Sequence, residues 1–90
     1  MPIQIEHSPT QERLNELGIL DCPTWEKEVS TFDWFYDSEE VCYLVQGQVS
    51  VTYGNNESVT INKGGLVIFA KGLSCQWQVI EPIKKHYLFR

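Results

Sequence analysis

Glu40 and the aromatic residues ahead of it are the first candidates for chemistry in this sequence. The stretch from 32 to 47 reads FDWFYDSEEVCYLVQG. Phe32, Trp34 and Tyr36 alternate with other residues and therefore share one face of a predicted strand. Glu40 stands where an apolar strand begins. Either it is a strand-end carboxylate bonded to Tyr36 or to backbone, or it points into a pocket lined by those aromatic side chains and acts as a ligand or as a general acid or base.

Cysteine and histidine supply the other candidates. The sequence has three cysteines, an odd number without a C-x-x-C motif, so structural disulfides are not expected. Cys42 shares the face of Glu40, where core packing is its expected role. Cys75 is either a small buried hydrophobe or a nucleophile that faces a cavity. A nucleophile needs a base, and His86 is the candidate base, although a surface strand position explains it equally well.

Trp77 belongs with the aromatic group, because it alternates with Cys75 on the strand CQWQVI. Together with Phe32, Trp34 and Tyr36 it predicts an aromatic wall. Such a wall binds flat or apolar ligands and supplies a few polar groups. The alternative is that these side chains simply fill the interior of the protein.

The composition excludes several functional classes. A formal net charge of −5 disfavours binding to nucleic acid phosphates. No apolar run approaches the roughly 20 residues of a membrane span, and the N-terminus lacks the features of a signal peptide. We therefore expect a cytoplasmic protein. Because 90 residues bury a limited core, we also expect a homodimer.

The elements that position these residues are mostly strands. Residues 1–24 predict a strand and a short helix packed on the outside, with Ser8 as N-cap, Gln11 completing a capping box and Gly18 ending the helix. From Trp25 the hydrophobic period is two, and Gly- and Asn-bearing turns separate short strands. Gly47 and Pro82 are predicted to interrupt their strands. Residues 25–90 therefore form a second, all-β unit.

Two segments, EEVCYLVQGQVSVTY and INKGGLVIFAKGLSCQWQVIEPIKKHYLF, resemble the small cupins grouped with the (S)-ureidoglycine aminohydrolase cupin domain. The resemblance runs from about Trp25 to Phe89, and GLSCQWQVIEPIKKHY is its most specific part. It implies an all-β fold, a single RmlC-like cupin jelly-roll barrel with a short N-terminal helix.

The same resemblance implies a metal site that this sequence alters. Glu40 matches the motif glutamate, but Trp34 and Tyr36 fall near the positions of the H-x-H pair. Cys75 stands where the second motif has its histidine. A divalent metal such as Zn, Mn or Fe would therefore depend on Glu40 and Cys75, with His86 as a weaker candidate, and a thiolate ligand favours the softer ions.

Two functions follow from the sequence. The favoured one is a small cupin of undetermined activity whose cavity binds a small molecule. Its predicted lining is Phe32, Trp34, Tyr36, Glu40, Cys42, Cys75 and Trp77. The alternative is a metal-dependent enzyme similar to ureidoglycine aminohydrolase, with Glu40 and Cys75 at the metal. Whether the protein is an enzyme stays open at this point.

Overall fold

The computed structural model describes residues 2–90, which form an antiparallel β-structure with one short helix. The elements in chain order are β1 (Ile3–Glu6), α1 (Gln11–Leu17), a 3₁₀ helix (Ile19–Asp21), β2 (Thr24–Lys27), β3 (Ser30–Phe35), β4 (Glu40–Tyr53), β5 (Glu57–Asn62), β6 (Leu66–Phe69) and β7 (Ser74–Phe89). The mostly-β prediction with a short N-terminal helix is confirmed.

All seven strands belong to one sheet with the order β1-β6-β4-β7-β2, while β3 pairs with β7 and β5 pairs with β4. Strands β4 and β7 are its centre, with 14 and 16 residues. Among residues 2–90 the strand pairing does not close the sheet. The closed jelly-roll barrel therefore stays a prediction.

The two faces of the sheet carry separate apolar clusters. On one face, Ile3 of β1 and Trp77 of β7 belong to the same buried core, so the sheet curves around that core. On the other face, Leu14 of α1 and Ile19 pack with Val41. The helix thus covers one side of the sheet and leaves the other side to the aromatic residues. Within residues 2–90, α1 is the only α-helix, and its seven residues are too few to cross a bilayer.

The start of the helix differs from the sequence prediction. Helix α1 begins at Gln11, and its N-cap is Thr10, whose hydroxyl oxygen accepts a hydrogen bond of 3.1 Å from the backbone N–H of Arg13. The predicted Ser8 cap is therefore wrong. An N-cap side chain accepts a hydrogen bond from a backbone N–H three residues later that has no partner within the helix, and here Thr10 occupies the N-cap position. Gly18 ends the helix as predicted, with a φ of 65°.

Strands β4 and β7 continue through the residues that were predicted to interrupt them. Gly47 lies inside β4 and Pro82 inside β7, and the register between the two strands shifts at this level. Gly47 has a φ of 87°, and a Cβ there would overlap the carbonyl of Pro82. The two residues therefore form facing irregularities of one ladder, which bends the strands without ending them.

Candidate functional site

Glu40 is buried at the start of β4, with a side chain 2% exposed. It pairs in register with Phe69 of β6 and Phe89 of β7. Its two carboxylate oxygens are both bonded: Oε1 accepts a hydrogen bond of 2.7 Å from the hydroxyl of Tyr36, and Oε2 accepts one of 2.7 Å from Nζ of Lys85. The carboxylate thus bonds Tyr36 and also lines the cavity, while a role of Glu40 as a ligand or as a general acid or base stays a prediction.

Lys85 supplies the positive charge that balances Glu40. Its side chain is 8% exposed and its ammonium lies 5.1 Å from the ring centre of Trp25 and 4.6 Å from that of Trp77. Electron-rich ring faces attract a cation, most strongly where water is excluded. We call Tyr36, Glu40 and Lys85 the polar triad. As a tyrosine hydroxyl, a carboxylate and an ammonium, it has no net charge.

Tyr36 stays a hydrogen-bond donor over a wide pH range. Its side chain is 1% exposed, and burial raises the pKa of its hydroxyl far above the ordinary value. The negative charge of Glu40 and the hydrogen bond to it raise that pKa further. A protonated hydroxyl fixes one carboxylate oxygen of Glu40, so the carboxylate orientation is set before any ligand arrives.

A cavity of about 220 Å³ opens above the polar triad. Trp77 forms part of its inner wall, whereas Trp34 is 48% exposed and stands at its rim. The structure brings five predicted residues to this cavity, namely Phe32, Trp34, Tyr36, Glu40 and Trp77. Four lining residues escaped the sequence analysis: Trp25, Lys85, Tyr87 and Phe89.

A signal for those missed residues existed in the sequence. In β7 the positions 83, 85 and 87 alternate on the face opposite to Lys84, His86 and Leu88. The observed register places Lys85 beside Leu44 of β4, a core residue, so Lys85 faces inward. Lys84 and Lys85 are adjacent residues of the same type, so only the alternation along β7 separates the inward lysine from the outward one.

The two predicted cavity cysteines lie in the core beside the cavity and do not line it. Cys42 is 2% exposed, and burial raises the pKa of its thiol to about 12. Burial also raises the pKa of Cys75, an effect that the nearby indole of Trp77 partly opposes. The thiol of Cys75 lies 3.7 Å from the carbonyl oxygen of Trp34. Both thiols are therefore protonated near pH 7 and poorly suited as nucleophiles.

The structure does not assemble the predicted metal ligands. His86 faces away from the cavity, with its Nδ1 2.8 Å from the carbonyl oxygen of Cys22. Among residues 2–90 no group of three or more His, Cys, Asp and Glu side chains could hold a metal ion. The ammonium of Lys85 already bonds Oε2 of Glu40 at 2.7 Å, where a bound cation would otherwise sit. This donor set does not fit a Zn, Mn or Fe ion.

The model of the EutQ-like cupin domain matches residues 14–87, so the chain belongs to the EutQ-like cupin domain family. No protein of curated function matches the sequence.

Solved structures support the same family. A DUF861 family protein from Thermotoga maritima is 50% identical over 98% of this chain and 99% of its own, with a TM-score of 0.93. A DUF861 family protein of unknown function from Pseudomonas syringae pv. tomato is 25% identical, with a TM-score of 0.68, over 74% of this chain and 29% of its own. The EutQ protein of Clostridium difficile is 24% identical, with a TM-score of 0.68, over 73% of this chain and 52% of its own.

Proposed function

We propose that this cupin binds a small, planar, uncharged molecule in the cavity above the polar triad. The observation that carries the proposal is the combination of aromatic walls with a floor of fixed polar groups. Aromatic side chains stack on flat ligands, and a few buried polar groups fix their orientation. Phe32 and Trp77 already stack on each other with ring centres 6.0 Å apart, which gives a flat wall for a ligand ring.

The cavity volume limits the size of the ligand. Sites for drug-sized molecules are typically about 300–1,000 Å³, and this cavity measures about 220 Å³. A ligand with one ring and one short polar substituent suits that volume. Two fused rings with substituents would require Trp34 or Phe89 at the rim to move.

Charge favours a neutral ligand. The chain carries a net charge of −5, and the charge of Lys85 is already balanced by Glu40 at 2.7 Å. A ligand carboxylate would therefore face the Glu40 carboxylate without a free cation nearby. A ligand cation would instead compete with Lys85 for Glu40. An uncharged polar group avoids both costs.

One unpartnered donor supports a ligand with an acceptor atom. Among residues 2–90 the buried indole N–H of Trp77, which lines the cavity, has no hydrogen-bond partner of good geometry, and the nearby thiol of Cys75 is only a weak acceptor. Buried polar groups are nearly always bonded, and those that are not call for an explanation. An oxygen of a bound ligand, or a water in its place, is the natural partner. The Lys85 ammonium has two further protons to donate.

The donor set makes the metal-dependent aminohydrolase the weaker alternative. That function requires a metal cage at Glu40 and Cys75, and the nearest cation to Glu40 is the protein's own Lys85.

A homodimer and a cytoplasmic location also stay predictions. Sedimentation equilibrium of the purified chain tests the dimer directly.

Nuclear magnetic resonance tests the binding proposal, because all three tryptophans of the sequence line the cavity. We expect benzyl alcohol and benzamide to shift the three indole N–H signals in a saturable way. Benzoate should bind more weakly than benzamide, because of the negative surroundings described above. If none of these ring compounds shifts the indole signals at millimolar concentration, the proposal is wrong.

Two neighbouring aromatic residues on β3 give a matched pair of variants. Trp34 lines the cavity, whereas Phe35 faces away from it and is 59% exposed. Trp34→Ala should weaken benzamide binding by about threefold to tenfold, the value of one aromatic contact. Phe35→Ala should leave binding unchanged. Equal losses in the two variants would contradict the assignment of the cavity as the binding site.

A further inference from the structure

Lys85 is a buried amine that opens on an apolar cavity and has a proton acceptor in contact. Its Nζ lies 2.7 Å from Oε2 of Glu40, and its side chain lines the cavity while remaining 92% buried, since 8% is exposed. Among residues 2–90 the cavity offers no other side-chain amine, and the thiols of Cys42 and Cys75 lie outside its lining.

We propose that Lys85 captures a carbonyl compound, an aldehyde or ketone with a planar body, as a covalent imine in this cavity. The inference rests on the binding function proposed above and adds the ligand class. An amine reacts with a carbonyl only when it is unprotonated, so the Lys85 nitrogen needs a proton acceptor in contact with it. Glu40 is placed to take the proton across the existing hydrogen bond.

The reaction balances with the groups already present. The Lys85 ammonium passes one proton to Glu40, and the freed nitrogen pair forms a bond to the carbonyl carbon. The carbonyl π pair moves to the oxygen, which takes the proton back from Glu40 and gives a carbinolamine. A second proton passes from the nitrogen to the hydroxyl by way of Glu40, water leaves, and the protonated imine forms. The ligand loses its oxygen as water, and the positive charge stays on the nitrogen.

The surroundings suit that product. The protonated imine keeps the positive charge beside the Glu40 carboxylate, and the indole rings of Trp25 and Trp77 lie 5.1 and 4.6 Å from the present ammonium. The positively charged nitrogen of Lys85 therefore replaces N–H bonds by a bond to the ligand carbon and keeps its contacts with Glu40 and the two indole rings. Tyr36 holds the other oxygen of Glu40 at 2.7 Å, which keeps the carboxylate directed at the nitrogen.

Reductive trapping tests this proposal. The full chain is incubated with benzaldehyde and sodium cyanoborohydride, which reduces only protonated imines, and the labelled lysine is located by peptide mass spectrometry. We expect Lys85 to be labelled about tenfold or more faster than Lys84, the adjacent lysine on the opposite face of β7. The same reaction in urea should label the two lysines at similar rates, because the cavity is then absent.

Variants separate a specific reaction from general amine reactivity. Glu40→Gln should slow labelling of Lys85 by about tenfold or more, the usual size of a lost general-base contribution. Lys84→Arg should leave it unchanged. Equal labelling of both lysines in the folded wild-type chain would overturn the proposal, and this outcome does not depend on any variant folding.

The noncovalent probe separates failure of this inference from failure of the binding function. Benzyl alcohol has the same ring without the carbonyl. If it shifts the indole signals while benzaldehyde leaves Lys85 unlabelled, the covalent step is wrong and the binding function stands. If neither compound engages the cavity, both proposals fall.

Discussion

The two halves of β4 use the same strand partner for opposite purposes. The first half, Glu40–Leu44, lies beside residues 85–89 of β7 and holds a buried ion pair under an open cavity. The second half carries Val49 and Val51, with Val49 opposite Val79 in register, and these three side chains are at most 1% exposed. One half is filled by side chains, and the other leaves space and charge. We therefore expect the filled half to contribute mainly to stability and the charged half to the proposed ligand binding.

The boundary between the halves is the irregularity at Gly47 and Pro82. Register shifts occur only near this level of the β4–β7 ladder, between Leu44 and Val49. Such irregularities reorient the side chains beyond them. The charged half is thus set apart from the apolar half within two continuous strands.

Breaking the ion pair should have the largest effect on the free energy of unfolding. Lys85→Met leaves Glu40 as a buried charge without its cation, and we expect a loss of about 3–5 kcal/mol in urea unfolding. The double variant Glu40→Gln with Lys85→Met keeps an acceptor for Tyr36 and removes both charges. It should regain most of that loss. A double variant as unstable as Lys85→Met would show that the charge pair is not the cause.

A substitution at Gly47, at the boundary between the halves, should have the second largest effect on the free energy of unfolding. Gly47→Ala places a Cβ against the carbonyl of Pro82 at a φ of 87°, so we expect a loss of about 2–4 kcal/mol. Gly72 is the matched control, with a φ of 90° and open space around its Cβ position. Gly72→Ala should cost about 1 kcal/mol, the backbone cost alone. Equal losses would mean that the close approach to Pro82 is unimportant.

The polar triad should also make stability fall at alkaline pH. Tyr36 keeps its proton when folded, because burial raises its pKa, whereas the unfolded chain loses that proton above pH ~10. The unfolded state then binds fewer protons, so stability decreases as the pH rises, by about 1.4 kcal/mol per pH unit for this group. Above that pH, Tyr36→Phe should make the free energy of unfolding fall less steeply with pH, because one fewer proton distinguishes the folded from the unfolded state. An unchanged slope would contradict the role of Tyr36.

The smallest effect is expected in the filled half. Ile61 of β5 is 2% exposed and packs in the main core, opposite Val49 in register. Ile61→Val should cost about 0.5–1.5 kcal/mol of stability, the value of one buried methylene and its cavity. Benzamide binding, followed by the indole N–H signals, should not change. A binding loss comparable to that of Trp34→Ala would mean that the two halves are not independent.

The sequence predicted the positions of individual strands and their inward faces better than it predicted which strands pair. The period-two pattern placed Phe32, Tyr36 and Trp77 on inward faces, and the structure brings them to one cavity. It failed at Gly47 and Pro82, because a residue that interrupts an isolated strand is accommodated where a facing strand bends with it. It also put the N-cap at Ser8, since local patterns do not choose between two hydroxyls two residues apart.

By itself, the sequence determined the mostly-β fold and the end of the helix at Gly18. These depend on near neighbours, because backbone conformation and side-chain alternation are local properties. The tertiary structure alone decided which way Glu40 points and which cation it binds. Its cation, Lys85, lies 45 residues away in the chain. The pairing of β4 with β7 brings the two together, and no local pattern specifies which strands become neighbours.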